Sequence, residues 1–168
     1  KREGITRKPC FLDRELDRLF IGGFKHKETK DQTSTTNEIY GDLLSPRPMT
    51  RLLCGDVGFG KTEVALRAVF LCASNNKNSI VVSPTKILSN QLYFEFHKRL
   101  SSFGIRVFSS VSSFVNNKGG GSVLISTHRV LNNNQALGLC DFMVVDEEHR
   151  FGVDQKEKVL KINPFCDV

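Results

Sequence analysis

Leu52-Leu53-Cys54-Gly55-Asp56-Val57-Gly58-Phe59-Gly60-Lys61-Thr62 is an apolar triplet running into a glycine-rich octet of the form G-x-x-x-x-G-K-[ST]. The triplet reads as a buried strand. Thr62 to Cys72 reads as a helix with Val64, Ala65, Ala68, Val69 and Cys72 on one face. Strand, glycine loop and helix in that order form the setting in which such a loop holds phosphate. Gly55, Gly58 and Gly60 let the backbone curl so that its N–H groups approach phosphate oxygens. The helix N-terminus adds positive partial charge beneath them. In such a loop Lys61 reaches the β- and γ-phosphates and Thr62 ligates Mg²⁺. The plain alternative is a glycine-rich turn with an exposed lysine; the flanking strand and helix weigh against it.

Downstream, short apolar runs alternate with helical stretches. Ile80–Val82, Ile105–Phe108, Val123–Ile125 and Phe142–Val145 read as strands, and Ile87–Phe103 and Val153–Ile162 as helices. Strands that are apolar throughout and separated by helices predict an α/β fold, a mostly parallel sheet with helices on both faces. Asn116–Gly121 and Asn132–Gln135 read as polar loops. Upstream, Leu12, Leu16, Leu19 and Phe20 recur at helical spacing before Gly22-Gly23, and Asp31–Leu44 reads as a weaker helix closed by Ser45-Pro46-Arg47-Pro48. The chain therefore divides into a helical lead-in, 1–45, and an α/β lobe, 46–168.

Val144-Val145-Asp146-Glu147-Glu148-His149 follows an apolar run about 85 residues after Lys61. An Asp at the carboxyl end of a strand suits a Mg²⁺-organising carboxylate, and Glu147 beside it can polarise an attacking water. A surface turn of acidic residues is the alternative. A GTPase would carry D-x-x-G here and an N-K-x-D guanine reader, and Asn75-Asn76-Lys77-Asn78 lacks the Asp. A small-molecule kinase has no need of a water-activating Glu. Hydrolysis coupled to movement fits better.

The 168 residues fit one domain with a real core, and 39% hydrophobic with 25% charged is a globular balance. Net charge +6 suits a polyanionic partner, although a soluble basic protein with none has the same balance. The five cysteines are scattered without a CxxC pair, so no zinc site is expected, and neither His26 nor His97 has partners for one. Cys54, Cys72 and Cys140 sit in apolar stretches and read as reduced core thiols, which suggests an intracellular protein. No run of 18 apolar residues predicts a membrane span. The basic N-terminus leads into no apolar signal core, and a lost organellar targeting peptide stays open.

Ser45-Pro46-Arg47-Pro48-Met49 and the run from Arg51 to Ala68 closely resemble the bacterial transcription-repair coupling factors. Asp146-Glu147-Glu148-His149-Arg150-Phe151-Gly152-Val153 resembles the same family and its relatives, the RecG-type branched-DNA translocases. The likeness runs from about Phe24 to Val168. It implies the first RecA-like motor lobe of a superfamily-two translocase that uses ATP and Mg²⁺ on double-stranded DNA, with RNA polymerase and repair proteins as partners through other regions. A cytoplasmic, nucleoid-associated protein follows. The nucleotide set is then Phe24, Gln32, Gly55, Gly58, Phe59, Gly60, Lys61, Thr62 and Glu63, with Gln32 reading adenine and Phe24 as its stacking partner. Lys61, Asp146 and Glu147 are catalytic, and Thr62 and Asp146 hold the metal. His149 and Arg150 relay nucleotide state.

The likeness also makes Pro84-Thr85-Lys86-Ile87-Leu88-Ser89-Asn90-Gln91 a DNA-contact motif through Thr85, Lys86 and Gln91, and Thr127-His128-Arg129 a second. Helix capping by Thr85 and Thr127 is the plain alternative, as a tight turn is for Arg150-Phe151-Gly152. Lys30 stands where the family has Pro, and Ser109–Ser122 is shorter than its counterpart. Val168 falls where the family's third motif begins. The second lobe, source of an arginine finger, is not in the sequence, and slow or absent turnover by the 168 residues alone is the expectation. A RecG-type lobe, or a nucleotide- or DNA-binding remnant without turnover, are the alternatives.

Overall fold

The computed structural model describes residues 4–55, 60–147 and 152–168. Asp56, Val57, Gly58, Phe59, Glu148, His149, Arg150 and Phe151 lie outside the described residues. In chain order come Arg14–Gly22 (α1), Lys30–Leu44 (α2), Lys61–Ser74 (α3), Ser79–Ser83 (β1), Lys86–Leu100 (α4) and Val107–Phe108 (β2). Val111–Val115 (α5), Val123–Thr127 (β3), Asn134–Gly138 (α6), Phe142–Val145 (β4) and Val153–Ile162 (α7) follow.

Among the described residues the sheet has four strands in the order β2-β3-β1-β4, every pair parallel. Parallel neighbours cannot be joined by tight turns, so each connection crosses over through helical segments. Side chains alternate across the strands and split the core into two layers. Val81, Val107, Val123, Ile125 and Phe142 face a layer built with the N-terminal helices and α4. Ile80, Val82, Leu124 and Met143 face a second layer with Phe114 of α5, Leu137 of α6 and Val159 of α7. The expected α/β fold, parallel with helices on both faces, is what forms.

The helix α3 is buried nearly all round because α1 and α2 cover its outer side. Phe20 of α1 stacks on Phe70 of α3 with centroids 3.9 Å apart, and Phe103 meets both rings edge-on. Burying a phenylalanine contributes about 2 kcal/mol, so this trio holds α1 against α3.

Several local expectations fail for identifiable reasons. Leu52–Cys54 is not a strand of the sheet; Leu52 is 63% exposed and Cys54 is exposed, so Cys54 is no core thiol. The backbone around Met49–Arg51 bonds instead to Val168, while Asp167 bridges Phe142 of β4. The last rung joins Arg51 to Val168, the last residue of the sequence, so Leu52–Cys54 has no partner segment beside it among the described residues. Cys10 and Cys166, which no pattern singled out, are buried with Cys72 and Cys140. Buried Asp167 fastens the junction: its Oδ1 accepts from the Met49 N–H at 2.6 Å and its Oδ2 pairs with Arg7 at 2.6 Å.

The strand expected from Ile105 shrinks to Val107–Phe108. The helix expected to Phe103 ends at Leu100 and tightens into a 3₁₀ turn, Ser101–Phe103. Two five-residue helices, α5 and α6, have no counterpart in the periodicity. Asn133, in a stretch read as loop, caps α6 by accepting from the Ala136 N–H at 2.9 Å. No helix among the described residues is long and apolar enough to cross a membrane.

Candidate functional site

The glycine loop hands over to α3 at Gly60, whose φ of +75° lies in the left-handed region. A side chain there would also collide with the amide nitrogen of Gln32. The backbone conformation favours glycine, and any side chain there would have to displace the Gln32 amide. Because Gly60 is the N-cap and has no side chain, the first N–H groups of α3 receive no side-chain cap from it. Lys61 is exposed, and its ammonium donates to the Gly55 carbonyl at 3.0 Å. Thr62 follows, half-buried.

The opposing wall comes from the tip of β4. The Asp146 N–H donates to the Val82 carbonyl at 2.9 Å, continuing the sheet one residue past the strand. Glu147 then takes φ of +60°, a conformation uncommon for a residue with a side chain. A cleft of about 960 Å³ has Gly60, Lys61 and Thr62 in its lining together with Asp146, Glu147 and Lys156. Apolar residues such as Val64, Val81, Phe96 and Val144 also line it. Lys156, on α7, was not anticipated; a lysine within an amphipathic helix gives no periodic signal that it faces a cleft.

Among the described residues no three His, Cys, Asp or Glu side chains gather as a metal cage. A hydroxyl and a carboxylate in one cleft, Thr62 and Asp146, instead suit Mg²⁺, which takes few protein ligands and completes its shell with phosphate oxygens and water.

Other expected nucleotide contacts are arranged differently. Gln32 is buried and closes a capping box: its Oε1 accepts from the Thr29 N–H at 2.9 Å, and Thr29 Oγ1 accepts from the Gln32 N–H at 3.2 Å. Its amide nitrogen is thereby aimed at Gly60. Phe24 is not in the cleft lining. Its ring sits against His26 and beneath the guanidiniums of Arg67 and Arg99, at 5.7 and 5.9 Å. Glu63 points away into a buried ion network. It accepts from Arg67 at 2.8 Å and from Arg99 at 2.9 Å, which commits its carboxylate to protein partners rather than a ligand. Burial pushes the Glu63 carboxyl above its ordinary pKa against the pull of Arg99. Gly58, Phe59, His149 and Arg150 lie outside the described residues.

The expected DNA contacts sit at the carboxyl ends of neighbouring strands, where Ser83 of β1 pairs with Thr127 of β3. Thr85 is the N-cap of α4, its hydroxyl accepting from the Leu88 N–H at 3.2 Å. Lys86 and Gln91 are exposed on the same helix. Thr127 and His128 are half-buried and Arg129 is exposed at a 3₁₀ turn, His128–Asn132, which Thr127 precedes without making a side-chain cap bond. All of these, with Asp146, fall along one edge of the sheet, the edge at which open α/β sheets place their ligands.

This architecture is that of a RecA-like α/β lobe with a glycine-rich sequence leading into α3. The chain belongs to the DEAD/DEAH box helicase family, which residues 29–165 match. It is 41% identical to the transcription-repair-coupling factor of Borreliella burgdorferi, over 99% of this chain and 16% of that protein. It is 38% identical to that of Escherichia coli K12, over 93% of this chain and 14% of that protein. The chain thus spans about a sixth or less of the coupling factors it matches. Among solved structures, RecG bound to a three-way DNA junction aligns with a TM-score of 0.77 and 31% identity, covering 90% of this chain and 22% of that one. The UvsW helicase of bacteriophage T4, 15% identical with a TM-score of 0.66 over 94% of this chain and 59% of that one, shares the fold alone.

Proposed function

We propose that this chain is the ATP-binding lobe of a motor that travels on double-stranded DNA, within a protein of the coupling-factor kind that dislodges stalled RNA polymerase and promotes repair. One observation carries the reading: Lys61 and Thr62 at the head of α3 share a cleft with Asp146 and Glu147 at the tip of β4. Lys61 holds the terminal phosphates, Thr62 and Asp146 ligate Mg²⁺, and Glu147 orients the attacking water. Mg²⁺ held by Thr62 and Asp146 would supply positive charge against the phosphates. Gln32 reads the adenine. Thr85, Lys86, Thr127 and Arg129 hold DNA phosphates, so binding is independent of sequence. A second RecA-like lobe completes the groove.

A remodeller of branched DNA is a second reading, supported by the likeness to RecG. Identities of 41% and 38% to coupling factors against 31% to RecG favour the first. Titration of the 168 residues with a fluorescent ATP analogue and Mg²⁺ tests the common core. Saturable binding that disappears in Lys61→Ala is expected, and equal binding by wild type and Lys61→Ala would refute the reading.

A further inference from the structure

The turn before α2 and the helix after the glycine loop are joined by charged groups taken out of water. Arg67 of α3 is only 2% exposed. Its Nε donates to Glu63, one turn earlier, and its Nη1 pairs with Glu28. The same guanidinium lies over Phe24. Arg67 therefore grips both ends of the 24–28 segment. Thr29 follows Glu28 directly, and the Thr29 N–H fixes Gln32 Oε1, which leaves the Gln32 amide nitrogen against Gly60. A continuous set of contacts runs from Arg67 through Glu28, Thr29 and Gln32 to the last glycine of the loop. None of the four side chains lines the cleft.

A buried guanidinium is a costly way to hold two segments together, and an apolar pair does so more stably. What the planar fork adds is fixed direction. Burial depresses the Arg67 pKa from its ordinary value, and its Nη2 has no hydrogen-bond partner among the described residues. Such an arrangement suits orientation better than stability.

We propose that Arg67 and Glu28 are positioning residues of the nucleotide site: their pairing sets the Thr29–Gln32 box against Gly60 and thereby governs base selectivity without touching the nucleotide. This rests on the nucleotide reading above.

The test is titration of wild type, Glu28→Gln and Arg67→Lys with ATP, GTP and inorganic triphosphate, each with Mg²⁺, alongside thermal melts. Glu28→Gln keeps shape and removes the charge, and Arg67→Lys keeps the charge and removes the fork. Each variant is expected to weaken ATP binding by about fivefold or more, a coupling of ordinary size for residues in one network. Triphosphate binding stays as in wild type, and the preference for ATP over GTP shrinks. In a Gln32→Ala background, Glu28→Gln has no further effect on ATP. An unchanged ATP-to-GTP ratio, or ATP and triphosphate weakening together, overturns the positioning role alone. Loss of the melting transition in both variants overturns it in favour of a purely structural one. Wild type that binds neither ATP nor triphosphate overturns the nucleotide reading, and the positioning role with it.

Discussion

Two stations stand along the carboxyl edge of the sheet and are built on opposite plans. At the head of α3 the cap is a left-handed glycine, the helix N–H groups receive nothing from its side chain, and a cleft of about 960 Å³ opens before them. At the head of α4 the cap is Thr85, which satisfies the Leu88 N–H itself, and the residues around it are exposed. A helix terminus without a cap, facing a cleft, suits a compact anion that fills it. A capped terminus with exposed cations suits a long anion laid across it. The first plan lets single substitutions abolish binding, and the second spreads binding over several weak contacts.

Removing the ammonium at the first station has the largest expected effect. Lys61→Ala loses ATP binding beyond detection at millimolar nucleotide, while its melting temperature stays near wild type because Lys61 is exposed and, among the described residues, bonds one loop carbonyl. Titration beside a thermal melt checks both parts. Glu147→Gln comes next. It retains ATP binding, and whatever turnover the chain supports falls roughly 100-fold or more, the scale of a lost general base. Phosphate release measured at saturating ATP decides it. Unchanged turnover would remove Glu147 from the chemistry and leave its left-handed backbone without a functional account.

Effects at the second station are smaller. Arg129→Ala should weaken duplex DNA about equally whatever its sequence and flatten the plot of log affinity against log salt by about one unit, as expected for one phosphate contact. Fluorescence anisotropy from low to moderate salt measures this. Sequence-dependent loss would instead mean that Arg129 reaches base edges.

The first station was far more legible in the sequence than the contacts around it. Gly60, Lys61 and Thr62 are local: one octet between apolar stretches defines them, and chain geometry does the rest. Asp146 and Glu147 are legible because an apolar strand delivers them to the same edge. The ion network is different. Glu63 and Arg67 are visible as an i, i+4 pair, but Arg99 and Glu28 reach them from distant parts of the chain. The resemblance placed Glu63 among nucleotide contacts, and the structure gives its carboxylate two arginine partners. The helices α5 and α6 are too short for periodicity to register, and Ser110 and Asn133 make them through caps. Leu52–Cys54 is apolar enough to read as a strand, but the ladder beside it runs only to the rung between Arg51 and Val168, the last residue given, which leaves the triplet without a partner segment here. Long apolar runs could be read in advance wherever their partners lay, whereas short capped helices and side-chain pairings between distant segments could not.

The smallest effect bears on the sharpest ambiguity, since Thr85 serves α4 as a cap whatever else it touches. Thr85→Ala should destabilise the chain by about 1 kcal/mol, the ordinary loss of an N-cap, and DNA affinity would then fall for two entangled reasons. Thr85→Asp separates them. Aspartate caps as well as threonine, and its charge favours the helix terminus, so stability should stay within about 0.5 kcal/mol of wild type. The same charge repels a DNA phosphate at that position. If the second station holds a polyanion, Thr85→Asp keeps its melting temperature and loses duplex affinity, more steeply at low salt where screening is weakest. If stability and DNA affinity both stay unchanged, Thr85 is a cap and nothing more. The contrast between the two stations would then reduce to one phosphate site beside an ordinary helix start.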